Sequence, residues 1–356
     1  MIIREVRELT GGVAVKAMIL KEFRELRRDK RTMGMLIALP ILLLVIFGYA
    51  ANFNVEEIPT AVVGDNAEQY EDQLPDLFVV EPGIDADASA QDLLKDNVVD
   101  VAIDTSSQPA QVYIDGSSIF AAQSAEAGFS QAPDGMVDVE VLYNPDLTTA
   151  WVMVPALIGL ILAFIGTVIT SIGLVKERQN GTIEQLAVMP LKSSQVIMGK
   201  IVPYFILAAI DMIIVTVLGV WLFDVPFVGN VGLFAIGGAI FLFVVLGLGV
   251  LISTASQTQG QAIQMAMMLV MPQILLSGFI FPLDAMPAGV AWIGYILPLT
   301  YFVEISQGIM LRGADLTSLG LDFGVLILMA LVIFTAAVLR FRRDLAPSAR
   351  HMGGSK

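Results

Sequence analysis

Long stretches without charged side chains alternate with short charged segments along most of the chain. Residues 33–54 and 147–175 contain no charged residue, and residues 201–223 contain only Asp211. A helix needs about 20 mostly apolar residues to cross the hydrocarbon core of a bilayer. Each of these three stretches therefore predicts a membrane-spanning helix.

The C-terminal half of the chain predicts three more spans. Residues 225–283 form one uncharged stretch of 59 residues, which is too long for a single span. A polar segment at 253–261 divides it, so we predict a helical hairpin with spans at 225–252 and 262–283. Residues 321–339 are again mostly apolar and predict a sixth span.

The segment 284–320, between the last two predicted spans, has few charges but is interrupted by prolines and glycines, including Pro287 and Pro298. Proline removes a backbone N–H and breaks the interior of a helix. We therefore predict that this segment is re-entrant on the extracytoplasmic side and does not cross the membrane.

The distribution of basic residues orients the predicted spans, because loops rich in Lys and Arg remain in the cytoplasm. With six spans, the segments 1–32, 176–200 and 340–356 all lie inside, and together they hold 18 of the 20 basic residues. Only Lys95 and Arg312 then lie outside. We expect a multi-pass protein of the cell (inner) membrane with both termini in the cytoplasm.

Residues 55–146 have a different character, since residues 53–147 hold 20 acidic residues and a single basic one. Runs of β-branched and apolar residues predict strands at 60–63, 98–103, 111–114 and 137–143, with short helices at 65–74 and 88–96. The expected fold is thus an all-α polytopic membrane protein with six transmembrane helices. A small α/β (or α+β) extracytoplasmic domain is inserted between spans one and two.

Composition excludes most enzyme classes. Hydrophobic residues make up 56% of the chain and charged residues 15%, whereas soluble proteins carry about 25% charged residues. There is no cysteine and one histidine, His351, which excludes thiolate catalysis, Cys-ligated metals and a His-based triad. The net charge of −14 argues against nucleic-acid binding. We predict no catalytic and no metal-ligating residue.

The chain also lacks the Gly-x-x-x-x-Gly-Lys-[Ser/Thr] loop that holds nucleotide phosphates. If ATP drives this protein, another polypeptide must hydrolyse it.

Three features are candidates for function. Residues 1–32 place apolar residues at helical spacing between basic ones, which predicts an amphipathic helix in the cytoplasmic interface or a cap on the first span. The loop 176–200 is charged but contains a short apolar set, so it is either a docking helix for a soluble partner or an ordinary loop. Asp211 either faces a substrate or cation, or hydrogen-bonds to a neighbouring helix.

Several motifs in matching order carry a resemblance to a known family. They are Lys21-Glu-Phe-Arg-Glu-Leu-Arg-Arg-Asp29 with Pro40 and Phe47-Gly48, Tyr143-Asn-Pro-Asp146 with Val154-Pro155, Glu177-Arg-Gln-Asn-Gly-Thr-Ile-Glu184 with Pro190 and Gly199-Lys200, Leu276-Ser-Gly-Phe-Ile-Phe-Pro282, Met286-Pro287, Leu297-Pro-Leu-Thr-Tyr301 and Leu311-Arg-Gly313. Over nearly its whole length the sequence resembles the ABC-2 type transporter permeases, the membrane subunits of type V ABC exporters. The insertion after the first span resembles the subfamily with an extracytoplasmic domain.

The resemblance implies a half-transporter that pairs with a second permease, as a homodimer or a heterodimer, in the lipid bilayer. Two separate ABC ATPase subunits would bind below and would hold ATP and Mg, so this chain would bind no cofactor itself. Family members typically export amphipathic drugs, lipids, or lipid-linked and glycan cargo.

The resemblance also assigns roles to residues. Coupling to the ATPases would involve Glu177, Arg178, Gly181, Thr182 and Glu184, together with the amphipathic start of the chain. The re-entrant exit segment would include Pro282, Pro287, Pro298 and Tyr301.

We expect the translocation pathway between spans two and five. Its lining would be apolar and flexible, because methionine side chains adapt their shape to varied cargo. The residues assigned to it are Asp211, Met265, Met268, Met271 and Phe279. The methionines could equally pack helix against helix or face lipid.

The main hypothesis is a permease subunit for ATP-driven export of amphipathic or hydrophobic cargo. Two alternatives remain open. One is a non-transporting membrane subunit that transmits ATP-driven motion to its outer domain, for envelope remodelling or signalling. The other is a proton-driven secondary transporter that uses Asp211.

Overall fold

The structure is a computed structural model that describes residues 57–180 and 193–345, together with residues 16, 17, 19–21 and 24 near the N-terminus. Within the two long ranges it leaves out 66, 72–73, 131–134, 281–282, 284–285 and 287. The predicted first span at 33–54 and the end of the tail after residue 345 therefore lie outside the described residues.

Residues 57–146 form a domain built on a five-stranded sheet, which we call the sheet domain. In chain order its elements are β1 (Ile58–Val63), α1 (Ala67–Glu71), β2 (Phe78–Val80), α2 (Ala90–Lys95), β3 (Val101–Asp104), β4 (Ala110–Asp115), α3 (Ile119–Phe129) and β5 (Val137–Leu142). The strand order is β2-β1-β3-β4-β5. All neighbouring strands pair in parallel except β3 and β4, which are antiparallel.

Helices cover both faces of this sheet because its inner strands β1 and β3 are apolar on both sides. Alternate residues of a strand point to opposite faces. In β1, Ile58 and Val62 pack in the cluster that includes α3, and Ala61 and Val63 pack in the cluster that includes α2. Each predicted strand segment overlaps one of the observed strands, whereas β2 and α3 were not predicted.

The remaining described elements are helical. They are α4 (Thr149–Gln179), α5 (Ser193–Phe223), α6 (Val231–Ala255), α7 (Gln259–Leu276), α8 (Ala288–Gly294), α9 (Pro298–Gln307), a π-helix (Gly308–Arg312) and α10 (Gly320–Leu345). Among the described residues, four helices are long and apolar enough to cross a membrane, namely α4, α5, α6 and α10. The chain is therefore a helical membrane protein with a small sheet region.

Helix α7 overlaps the predicted fifth span but is not one of these four. It has 18 residues and ends at Leu276, well before the predicted end of the span at residue 283. The chain then turns at Gly278, whose φ of +82° lies in the region that only glycine adopts without strain. Sequence hydropathy did not reveal this turn, because the residues on both sides of it are apolar.

Helix α4 lies at the centre of the bundle and contacts α5, α6, α7 and α9. Its most apolar stretch is 89% buried inside the chain, compared with 28% for α5 and 17% for α10. A helix that is apolar on all sides is buried by its neighbours. The apolar surfaces of α5 and α10 remain available to lipid or to another subunit.

Glycine allows α6 to approach α4 closely. A Cβ atom at Gly249 would lie 2.8 Å from the carbonyl oxygen of Thr167 and 3.1 Å from that of Gly166. Small residues permit such approach between membrane helices. A Cβ atom at Gly247 would meet Ile333 of α10 at 2.8 Å, so a second glycine serves the contact on the other side of α6.

Two short helices follow the turn after α7. Helices α8 and α9 have 7 and 10 residues, and a span needs about 20. Pro298 is the first residue of α9, where the missing N–H removes no intrahelical hydrogen bond. The π-helix continues α9 and ends at Arg312. Its C-cap residue Gly313 has a left-handed φ of +63° and redirects the chain towards α10.

Candidate functional site

Helix α4 connects two polar clusters that lie at its opposite ends. It has 31 residues, which corresponds to a length of about 46 Å. Polar side chains that are buried in an otherwise apolar bundle carry a large desolvation cost unless they are paired. The contacts at each end therefore mark the places where this membrane protein retains polar chemistry.

The first cluster surrounds the C-terminal end of α4 and includes the predicted coupling residue Glu177. The Glu177 side chain is 9% exposed, and its Oε1 atom lies 3.3 Å from Lys21 Nζ. Lys21 is in a helical position of the N-terminal segment. The structure thus brings together the amphipathic start of the chain and the end of α4, which the family resemblance assigns to one contact.

Arg178 extends this cluster to the turn between α6 and α7. Its Nη1 donates a hydrogen bond of 3.0 Å to the backbone carbonyl of Ser256, the C-cap residue of α6. The last carbonyls of a helix have no intrahelical donor, so a guanidinium is a favourable partner there. Beside it, Gln259 Nε2 donates to Gln179 Oε1 at 3.0 Å.

The first cluster therefore joins three elements: the N-terminal segment, the end of α4 and the α6–α7 turn. The other predicted coupling residues, Gly181, Thr182 and Glu184, lie outside the described residues.

The second cluster lies at the opposite end of α4, and its centre is Arg312. The Arg312 side chain is 4% exposed. Its Nη1 donates to Asn97 Oδ1 and to Ser117 Oγ, each at 3.0 Å, and lies 3.7 Å from Asp115 Oδ2. Its Nη2 lies 3.4 Å from Glu304 Oε2. Four partners from the sheet domain and from α9 thus converge on one guanidinium.

The surroundings of Asp115 favour its protonated form more than water does. Complete burial raises the pKa of the Asp115 carboxyl above its ordinary value, and this effect outweighs the opposing influence of Arg312 and of hydrogen bonds from Ser117 and Ser118. Burial also raises the pKa of the nearby Tyr143 hydroxyl to about 12, and the negative charge of Asp115 adds to that shift.

Asn144 ties the sheet domain to the first residues of α4. It is completely buried. Its amide donates to the carbonyls of Gly116 and Thr148 at 3.1 and 3.2 Å, and its side-chain oxygen accepts from the Thr148 N–H at 2.9 Å. Thr148 is the N-cap residue of α4. One side chain therefore satisfies backbone groups on both sides of the connection.

The predicted pathway residues do not share one environment. Met268 and Met271 of α7 are 72% and 46% exposed, whereas Phe279 is 3% exposed and belongs to the large buried cluster of the bundle. Met265 is partly buried, and its sulfur accepts a hydrogen bond from Ser256 Oγ at 3.5 Å. The exposed methionines could contact cargo, lipid or a second subunit, but Phe279 packs inside the chain.

Asp211 lies on α5 and is 4% exposed. Its Oδ2 atom has no hydrogen-bond partner among the described residues. The described part of the chain contains no group of His, Cys, Asp and Glu side chains that could hold a metal ion.

Two of the four predicted exit residues, Pro298 and Tyr301, lie in the described part of the chain. Tyr301 is 8% exposed, and its hydroxyl donates to the carbonyl of Tyr295, which fixes the turn between α8 and α9. Pro298 begins α9 as described above. Pro282 and Pro287 lie outside the described residues.

Sequence reasoning did not assign a role to Arg312, Asp115, Asn97 or Asn144. Arg312 did carry a signal, because it is one of the two basic residues that the topology prediction left outside. No such signal marked Asp115, which is one acidic residue among 20 in its region.

Comparison with known proteins gives consistent matches. A family model described as ABC-2 family transporter protein matches residues 30–339. The probable multidrug ABC transporter permease YbhR of Escherichia coli (strain K12) is 30% identical over 361 residues, which cover 92% of this chain and 97% of YbhR. The probable multidrug ABC transporter permease YbhS of the same organism is 29% identical, covering 84% of this chain and 89% of YbhS. The inner membrane transport permease YhhJ is 31% identical over 60% of this chain and 57% of YhhJ.

Proposed function

The chain belongs to the ABC-2 family of transporter proteins, and on this premise we propose that it is the permease subunit of an exporter driven by separate ATPase subunits. Its cargo is amphipathic or hydrophobic. The names of its relatives YbhR and YbhS, both probable multidrug permeases, support a drug-like cargo. The exposed methionines of α7 support a pathway wall that adapts to such molecules.

One observation carries the proposal most directly. Helix α4 is the most deeply buried candidate span, and a polar cluster joins it to other elements at each end. Pro155 interrupts the backbone hydrogen bonds of α4 near its N-terminal end, and the helix is free of proline from there to Gln179. A displacement at the Glu177 end is therefore carried along most of the helix. We infer that α4 transmits ATP-driven motion from the Glu177 and Arg178 cluster to the Arg312 cluster.

The proposed orientation follows from the basic residues. The cluster with Glu177 and Arg178 faces the cytoplasm, where two ATPase subunits bind it with the loop that follows. The sheet domain is extracytoplasmic and is inserted between spans one and two of six. A second permease, identical or similar, completes the pathway, and the largely exposed α5 and α10 offer surfaces to it.

The test is reconstitution in liposomes with the candidate ATPase, followed by efflux of a lipophilic dye. Vanadate-sensitive, ATP-dependent efflux is the expected result. Efflux that needs only a pH gradient and no ATPase would favour the proton-driven alternative through Asp211. ATP hydrolysis without movement of any tested cargo would favour the motion-transmitting alternative.

A variant pair tests the proposed coupling site. Arg178→Gln removes the charged donor to Ser256, and a hydrogen bond to a charged group contributes about 1.5–3 kcal/mol. We expect ATP hydrolysis to continue while the transport per ATP falls. The matched control is Lys176→Gln, which removes an exposed charge two residues away and should leave the ratio unchanged. If Arg178→Gln left the transport per ATP unchanged, Arg178 would not be part of the coupling site.

A further inference from the structure

Arg312 links two parts of the chain that are far apart in sequence. Asn97, Asp115 and Ser117 belong to the sheet domain, and Glu304 belongs to α9. Asn97 also donates directly to Glu304 Oε2 at 3.1 Å. The guanidinium is therefore a connector between the sheet domain and the short helices near the predicted exit.

Burial makes this connection costly to break. A guanidinium that loses its partners inside a protein carries an uncompensated charge, and removing one partner of a buried pair is strongly destabilising. An exposed ion pair would contribute little and could open freely. Only 4% of the Arg312 side chain is exposed, so its ion pairs are of the buried kind. Separating the sheet domain from α9 therefore carries a large cost in free energy.

The same loop of the sheet domain makes a second connection. Gly116 lies between the two Arg312 partners Asp115 and Ser117, and its carbonyl accepts the Asn144 hydrogen bond. A Cβ atom at Gly116 would lie 2.7 Å from the Leu142 carbonyl oxygen and 2.8 Å from that of Asn144. The loop 115–117 is thus packed against the residues that lead into α4, with no space for a side chain at its centre.

Apolar contacts reinforce both connections. Ile119 and Phe120, at the start of α3, belong to the same buried cluster as Val152 of α4 and Leu299 and Phe302 of α9. Because the cluster is continuous, displacing the sheet domain alone would expose apolar surface on both sides of the contact.

The residues that follow α9 pack with it, since Ala314 and Leu319 belong to the same buried cluster as Phe302. We propose that the sheet domain, the start of α4, and α9 with the residues after it up to Leu319 move as one body during transport, and that Arg312 is the positioning residue that holds this body together. This inference rests on the proposed export function. The sheet domain is then a moving part of the exit. A cover that lifts away from the membrane helices while cargo leaves is the arrangement that this proposal excludes.

A reversible cross-link tests the proposal. The chain contains no cysteine, so an engineered pair reacts alone. Ser318 Oγ donates to Asp96 Oδ1 across the contact between the segment before α10 and the sheet domain, and the D96C/S318C pair places thiols there. The cross-link is closed by oxidation or by a short bis-methanethiosulfonate reagent and opened by a reductant.

The outcomes separate this inference from the proposed function. If the parts move together, the cross-linked D96C/S318C protein transports at about the rate of its reduced form. Loss of transport on cross-linking, with recovery on reduction, would overturn the inference and leave the export function intact. If neither the reduced variant nor the wild type transports with ATP, the proposed function fails instead.

Arg312→Gln provides the second arm. Coupling between distant sites commonly corresponds to 5–150-fold effects, so we expect transport per ATP to fall about tenfold while hydrolysis continues. Adding the D96C/S318C cross-link should restore transport, because a covalent bond replaces the lost connection. A cross-link also stabilises a fold, so the transport per ATP is compared at a temperature at which Arg312→Gln is fully folded with and without the cross-link. Lys95→Gln, the charge-matched control on α2, should behave as wild type. Normal transport by Arg312→Gln, or no recovery on cross-linking, would contradict the role of Arg312.

Discussion

Replacing Gly249 with alanine tests the central contact of the membrane bundle. The added Cβ would lie 2.8 Å from both the Thr167 carbonyl oxygen and the Thr170 Cβ atom, and 3.1 Å from the Gly166 carbonyl oxygen. Two of these three atoms belong to the backbone of α4, so they cannot rotate away. The helices α4 and α6 must therefore separate by several tenths of an ångström.

The size of the effect follows from two opposing contributions. Overpacking a close contact costs about 1–3 kcal/mol, and the backbone contacts at Gly249 favour the upper end of this range. Alanine is more favourable than glycine in a helix by about 0.8–1 kcal/mol. We therefore expect Gly249→Ala to lower the free energy of unfolding by about 2 kcal/mol.

Gly324→Ala is the matched control, because Gly324 lies in α10 and nothing lies within 4 Å of a Cβ atom placed there. The free energy of unfolding of this variant should rise by up to about 1 kcal/mol, because alanine favours a helix more than glycine does. The two variants are compared by unfolding them in detergent micelles with increasing dodecyl sulfate, with the fluorescence of the three tryptophans as the measure of unfolding. If Gly249→Ala proved as stable as Gly324→Ala, α4 and α6 would not approach each other as closely as the structure shows.

Two further predictions concern the contact between the sheet domain and α4. Asn144→Ala removes a side chain that makes three hydrogen bonds to buried or half-buried backbone groups, so it should lower the free energy of unfolding by about 2–3 kcal/mol. Amide hydrogen exchange at residues 115–117 should become faster. Unchanged exchange would contradict the role of Asn144 in holding this loop. Asp115→Asn tests the raised pKa of Asp115. In the wild type the folded state holds this proton to higher pH than the unfolded chain, whose carboxyl has a pKa near 3.8, so the associated stability is present at low pH and is lost as the pH rises through the raised pKa. The Tm of the wild type relative to Asp115→Asn should therefore fall as the pH rises above the ordinary carboxyl pKa of 3.8. A pH-independent difference would exclude the shift.

The two polar clusters give the transport hypothesis a specific mechanical form. ATP-driven closure of the partner subunits would displace the end of α4 near Glu177 and Arg178. The Arg178 bond to Ser256 would carry the same displacement to the α6–α7 turn, and hence to the methionine-bearing helix α7. At the far end of α4, Asn144 and Arg312 would pass the movement to the sheet domain and α9 together.

Much of the membrane architecture was predictable because the bilayer imposes a simple rule. Spans must be long and apolar, so uncharged stretches identified four helices that the structure also describes as candidate spans. The sheet was predictable in part, since strands rich in β-branched residues overlap the observed ones. The short strand β2 and the helix α3 were missed, because a strand of three residues carries little pattern and four of the eleven residues of α3 are alanine.

The fifth predicted span shows where hydropathy alone was insufficient. Residues 277–280 contain no charge, as in the rest of the predicted span, yet the chain turns at Gly278, because only a glycine adopts its backbone conformation without strain. Composition could not reveal this turn. The resemblance assigned Glu177 and Arg178 to one contact with the amphipathic start of the chain. The individual pairs with Lys21 and Ser256 came only from the structure, since these residues are 156 and 78 positions away in the chain.

The sequence by itself determined that this is a membrane protein with an acidic domain, because hydrophobicity and charge act locally and can be counted along the chain. Only the tertiary structure decided that Arg312 is buried between the sheet domain and α9, and that Asp115, among 20 acids, is one of its partners. Burial and charge pairing depend on which distant segments come into contact in the folded protein, and local sequence patterns do not specify these contacts.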